Sequence, residues 1–230
     1  MTIALCDPSG YEKTVNLLQH GLNMFHPPWL QDITPREIQV CGTLRRYPHP
    51  NICHYRGVSV EKGIVSGLIF DRYDMTLRDM LYQGQDINIP KCLQDIEDGI
   101  MHIHALGLIH CDIKPENIFV HLASQRFVIG DFDSVHHEWE GLELKSGTPG
   151  WMPEDDDTDD IAKREMDWYS WEMLRAWLYN KCHTVGGKEV STPDILAKAR
   201  KDVSGGVEIP VTLLSSQIQD CGENAMDTAW

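Results

Sequence analysis

The sequence predicts an α+β fold with two unequal lobes. Two short strand-like runs lie within residues 52–70. Residues Lys91–Leu106 then form an amphipathic helical pattern, and a further helix over Met166–Tyr179 is apolar on nearly every side. Strands first and helices afterwards favour segregated layers over alternating βα units.

Taken in order, residues 11–48 read mostly as helix or loop. Leu17, Leu18 and Leu22 are spaced for one helical face, and a second helix is expected from Ile33 to Arg46. His49-Pro50-Asn51-Ile52 ends it, because proline disfavours helical geometry in the residue before it. Ile52–Val60 and Ile64–Phe70 are rich in Ile, Val, Tyr and Phe. Joined at Glu61-Lys62-Gly63, they read as an antiparallel hairpin. In the next helix Leu93, Ile96, Ile100 and Ile103 recur at helical spacing, and Gly107 fits its end. Ile118–Val120 and Phe127–Ile129 read as two short buried strands around a turn. The last helix, with Trp168, Trp171, Met173, Leu174, Trp177 and Leu178, belongs inside a helical lobe.

The 230 residues are 42% hydrophobic and carry a formal net charge of -15, which argues against nucleic acid or anionic membrane as a partner. No run approaches a spanning helix, and the first residues lack the pattern of a signal peptide. Seven scattered cysteines without a CxxC pair fit reduced thiols, so an intracellular location, cytoplasmic or nuclear, is expected.

Chemistry concentrates in His110-Cys111-Asp112-Ile113-Lys114-Pro115-Glu116-Asn117, between the amphipathic helix and the two short strands. Phosphoryl transfer needs groups that position a hydroxyl, neutralise phosphate and hold magnesium. Asp112 can accept the hydroxyl proton, Lys114 can meet a phosphate, and the amide oxygen of Asn117 can ligate a hard cation. Asp131, in Asp131-Phe132-Asp133, offers a second magnesium ligand. His102, His104 and His110 are read as structural histidines rather than metal ligands, and His136 and His137 as exposed loop residues. The acidic run from Glu154 to Asp160 reads as a solvated loop, or alternatively as a surface that prefers basic substrates.

HCDIKPEN resembles the HRDxKPxN catalytic loop of serine/threonine protein kinases, and GDFD resembles their DFG segment. The resemblance runs from HPNI to the end of the apolar helix and implies a bilobal protein-kinase-like fold that uses ATP and Mg²⁺. LIFDRYDMTLRDML is similar to the strand and hinge between the lobes. On that resemblance Phe70 is the gatekeeper, the backbones of Asp71 and Tyr73 meet adenine, and Lys114, Asn117 and Asp131 complete the nucleotide site. Asn117 and Asp131 are then the metal ligands, and Asp112 and Lys114 the catalytic residues. GTPGWMPE resembles the end of an activation segment with Glu154 as its acidic residue, and Asp167 matches the helix aspartate that braces the catalytic loop. Lys114 with Thr148 favours the serine/threonine type. One domain is implied over 1–230: an incomplete front lobe at 1–70, a hinge at 71–74 and a second lobe at 75–230 that looks cut short at its end.

Several family features are not visible. No GxGxxG precedes the hinge, where the first forty residues hold only Gly10 and Gly21. Their single lysine, Lys13 in YEKTV, does not look like the VAIK strand. Glu37 is the best match for the partner glutamate by local pattern, but counting back from His49 lands on Val40. Cys111 stands in place of the HRD arginine, so activation by loop phosphorylation is not expected. Asp133 stands in place of the DFG glycine. Glu154 lacks its arginine partner, since beyond residue 178 there is only Arg200. The expected function is ATP- and Mg²⁺-dependent transfer to Ser or Thr of a protein substrate, more basic than acidic. The alternatives are a pseudokinase scaffold and a truncated gene product.

Overall fold

The computed structural model describes residues 2–4, 8–14, 33–142, 147–153 and 160–182. The expectations for Leu17, Leu18 and Leu22, for Glu154 and most of its acidic run, for Arg200 and for the C-terminal tail lie outside them.

The first departure from expectation comes early. Gly10–Thr14 is a strand, β1, rather than helix or loop. Five residues are too few to display a period. The strand is instead imposed by pairing, Gly10 to Thr14 running antiparallel to Asp71 to Gly67. Its partner β3 (Ile64–Asp71) also pairs with β2 (Tyr55–Glu61), giving a front sheet in the order β1-β3-β2. The predicted hairpin is present, and its turn holds Lys62 and Gly63 both at positive φ, as the tightest hairpin turns require.

Residues 2–4 run along the outer edge of β2: Ala4 donates to the Val58 carbonyl and Val58 to that of Thr2, both at 2.9 Å. This approach depends on Gly57. Its φ is +152°, and a Cβ there would lie 2.4 Å from the Thr2 oxygen. Gly57→Ala is expected to cost about 2 kcal/mol, read as a lower denaturation midpoint; an unchanged midpoint would mean the edge pairing contributes nothing.

Helix α1 (Ile33–Arg46) packs behind this sheet with the predicted bounds. Among its described side chains Glu37, Val40, Cys41 and Leu44 are buried, a stripe at i, i+3, i+4 and i+7. Arg45 and Arg46 close its last turn, where the helix dipole favours cations.

After the hinge come β4 (Met75–Thr76) and α2 (Leu77–Tyr82), whose first turn is capped by the Thr76 hydroxyl accepting from the Asp79 N–H. Helix α3 (Ile89–Ala105) is the predicted amphipathic helix. Asn88 caps its start, and Gly107 follows its end at φ 70°. Next are β5 (Leu108–Ile109), β6 (Ile118–His121), β7 (Arg126–Ile129) and β8 (His136–His137). They form a β4-β6-β7 sheet and a β5-β8 ribbon.

Helix α4 (Arg164–Cys182) buries Asp167, Ser170, Met173, Leu174, Trp177 and Leu178 along one side and exposes Glu165, Arg175 and Tyr179 on another. It is therefore amphipathic, and its tryptophans lie at the boundary as well as inside. One apolar cluster joins α1 and the front sheet to α3, β6, β7 and α4, so both lobes share a core. Among the described residues no helix is long and apolar enough to cross a membrane.

Candidate active site

The catalytic-loop candidates converge because one buried carboxylate shapes the backbone before them. Asp167, fully buried on α4, accepts from the His110 N–H through Oδ2 and from the Cys111 N–H through Oδ1, both at 2.8 Å. The His104 ring nitrogen Nε2 bonds the same Oδ2 at 2.8 Å. This brace holds Cys111 at φ 64°, a left-handed conformation that a residue without a local polar cap rarely adopts. It bears out the geometric expectation for Asp167. His104 is thereby structural, as is His102, which stacks on His49 and bonds the Tyr47 carbonyl.

Beyond that bend Asp112 is 3% exposed and ringed by donors. Its Oδ1 accepts from the Thr148 amide at 2.9 Å and the Thr148 hydroxyl at 2.7 Å. Its Oδ2 accepts from Lys114 Nζ at 2.7 Å and Asn117 Nδ2 at 3.0 Å. Lys114 also donates to Thr148 Oγ1 at 2.7 Å. Burial works to raise the Asp112 pKa, but the bonds from Lys114 and Thr148, with the charge of Lys114, hold it below the ordinary carboxylate value. It is a carboxylate at neutral pH.

Asn117 commits its amide nitrogen to the Asp112 carbonyl, at 2.8 Å, and to the Asp112 side chain. Its oxygen is what it can offer a cation. Asn117 and Asp131 line the same cleft, of about 410 Å³, as Phe70, Asp71 and Tyr73. The cleft is also lined by Tyr11 and Phe119, neither of which the sequence singled out. Phe70 packs between Tyr55 and Phe132, at ring separations of 5.5 and 6.3 Å, and Phe132 in turn meets His110 at 5.9 Å. An aromatic column thus ties the front sheet to the catalytic loop.

The substitution of glycine by Asp133 is accommodated in an unexpected way. The left-handed residue of this segment is Asp131, at φ 63°, whereas Asp133 lies in a 3₁₀ turn over Phe132–Ser134. Aspartate tolerates that region better than most residues, so no glycine is needed at 133.

The main correction concerns the front of the site. Lys13 does what no sequence pattern suggested: from β1 its Nζ donates to Glu37 Oε1 at 2.8 Å and to Asp131 Oδ1 at 2.5 Å, with Asp133 Oδ2 at 3.7 Å. A lysine is therefore present where the VAIK lysine seemed missing. Glu37 is its partner, and Val40, where the spacing count landed, lies one helical turn along the same buried face. Burial disfavours the Lys13 charge, yet Glu37, Asp131 and Asp133 outweigh it and push its pKa above the ordinary lysine value. Burial raises Glu37, with Lys13 opposing. A signal was available: the buried face of α1 places Glu37 in register with Val40, Cys41 and Leu44.

His136 is a second correction. It is 1% exposed, paired in β8 with Ile109 of β5, and bonds the Ser134 carbonyl through Nδ1 at 2.7 Å; only His137 is exposed. Pairing with β5 buries it, which a two-residue strand cannot announce in sequence.

Residues 25–221 match the family described as protein kinase domain. The chain is 32% identical over 143 residues to dual specificity testis-specific protein kinase 1 of Mus musculus, a match covering 57% of this chain and 22% of that protein. Over 42 residues it is 45% identical to eukaryotic translation initiation factor 2-alpha kinase 1 of Mus musculus, covering 18% of this chain and 7% of that protein. The matches thus span about a fifth or less of these relatives' own length. Among solved structures, the yeast RNA Pol II CTD kinase CTDK-1 complex is similar in fold. Its TM-score is 0.59 at 19% identity, covering 78% of this chain and 57% of that one.

Proposed function

The chain belongs to the protein kinase domain family, and from that premise we propose that it is a Mg²⁺- and ATP-dependent kinase acting on Ser or Thr of a protein substrate. The observation that carries this reading is the Lys13–Glu37 ion pair reaching Asp131. Kinase turnover requires the strand lysine paired with its helix glutamate and the metal-binding aspartate in place together.

In this reading Asp112 orients the substrate hydroxyl and accepts its proton. Lys114, bridging Asp112 and Thr148, meets the transferred phosphate. Lys13 holds the nucleotide phosphates. The oxygens of Asn117 and Asp131, an amide and a carboxylate on one cleft, would hold a hard cation. Bound Mg²⁺ and ATP supply the phosphoryl group and the charge that neutralises it. Phe70 bounds the back of the cleft, and the backbones of Asp71 and Tyr73 meet adenine. The triangle of Asp112, Lys114 and Thr148 supports hydroxyls of Ser and Thr. Because the relative of Mus musculus is named a dual specificity kinase, a tyrosine peptide belongs in the assay. The net charge of -15 supports a basic substrate. Buried thiols at Cys41, Cys53, Cys92 and Cys111 suit a reducing, intracellular setting.

The test is thermal shift with ATP, with and without Mg²⁺, on wild type and Asp131→Asn. At a hundredfold excess over Kd, binding should stabilise wild type by about 2.7 kcal/mol, and the magnesium-dependent part should vanish in the variant. No shift on folded protein would overturn the enzyme reading in favour of a scaffold.

A further inference from the structure

The segment after Asp131 is tied to the helix that carries Glu37 by one side chain, Arg36. Its Nε donates to the Val135 carbonyl at 2.9 Å and its Nη2 to Glu140 Oε2 at 2.8 Å. That same carboxylate oxygen accepts from the His137 N–H at 2.8 Å. The Arg36 side chain is only 15% exposed, so the pair is shielded on the helix side. Successive helical residues point about 100° apart. Arg36 therefore reaches the segment while Glu37, its neighbour, reaches Lys13, and whatever fixes one fixes the other.

Glu140 is itself held in place. β8 pairs with β5; the Trp139 N–H donates to the Ala162 carbonyl at 2.9 Å, and the Ala162 N–H to the Glu140 carbonyl at 2.7 Å. Arg164 grips Glu138 with two nitrogens, at 2.8 and 2.9 Å. The position that resembles the HRD arginine offers no cation here. Cys111 is buried, and burial together with Asp167 keeps its thiol protonated.

We propose that Arg36 is a positioning residue whose ion pair with Glu140 sets α1 at the register in which Glu37 holds Lys13. The arrangement needed for phosphoryl transfer is then fixed by an encoded carboxylate rather than by an added phosphate. Its effect on turnover rests on the kinase reading; the clasp itself does not.

The test uses Arg36→Glu and Glu140→Arg, alone and combined, with Glu140→Gln as a near-isosteric control for folding. Mg·ATP affinity, kcat and KM for ATP hydrolysis, and hydrogen exchange of the α1 amides are read for each. Arg36→Glu and Glu140→Arg should each weaken Mg·ATP binding about tenfold and speed exchange in α1; the double variant should recover only part of both, because the swapped pair restores neither the Val135 nor the His137 bond. Singles indistinguishable from wild type, or a double variant with no recovery, would overturn the proposal. Should wild type neither bind nor hydrolyse Mg·ATP, the kinase reading fails, and the exchange pattern alone decides the clasp by the same criterion.

Discussion

Replacing Asp112 with asparagine is expected to lower kcat for phosphoryl transfer to a basic Ser/Thr peptide by about 10³-fold, with Mg·ATP affinity changed only a few-fold. The reason lies in the donors around it. Lys114, Asn117 and both polar groups of Thr148 point at the two carboxylate oxygens. An asparagine must turn its NH₂ toward one of these donor sets, which removes the proton acceptor and leaves donors facing each other. The unsatisfied contact should cost about 1–3 kcal/mol of stability as well, visible in a denaturation curve. Nucleotide affinity is the control, because on the proposed reading Lys13, Asn117 and Asp131 would carry it instead. Turnover within tenfold of wild type would remove Asp112 from the role of base.

Lys13→Met should have the other large effect. Methionine keeps the apolar stem but leaves Glu37, Asp131 and Asp133 around a missing cation. Breaking such a cluster costs about 3 kcal/mol, the lower end of the buried-pair range, because Lys13 and Asp131 remain partly open to the cleft. Mg·ATP affinity and turnover should fall together, since the phosphate contact and the order of α1 are lost at once. The loss should depend on pH. Glu37 already has its pKa raised by burial, and without Lys13 it rises further. A carboxyl raised in the folded state binds its proton more readily folded than unfolded, so stability falls as pH rises from the unfolded value toward the folded one. The variant should therefore recover part of its lost melting temperature on going from pH 7.5 to about pH 5. Wild type retains the lysine charge throughout that range. A pH-independent deficit would mean that Glu37 is not the group left uncompensated.

The sequence by itself determined the fold class and singled out the second lobe's candidate residues, because there the chain is locally self-describing. Asp112, Lys114 and Asn117 occur within six residues. The 3₁₀ turn and strand that bring them together are short-range structure, and α3 announces itself by its buried stripe of Leu93, Ile96, Ile100 and Ile103. Asp167 was legible too, through the resemblance of its helix to the family's bracing helix.

What the tertiary structure decided is the front of the site, where the sequence offered Glu37 on its helix but no pattern for Lys13. Lys13 lies in a strand of five residues, and it meets Glu37 across 24 residues and Asp131 across 118. Strand pairing and an inward-facing helix stripe bring those charges together, not spacing along the chain. Counting from His49 reached Val40, one turn from Glu37 on the same buried face, and the packed helix shows that Glu37 is the residue that meets Lys13. The same holds for Asp131, whose left-handed backbone removes the need for glycine at 133, and for Arg36 and Glu140, 104 residues apart. The pairing of two charges far apart in the chain leaves no mark on composition or periodicity. It becomes legible only when folding lowers the local dielectric and makes the pair necessary.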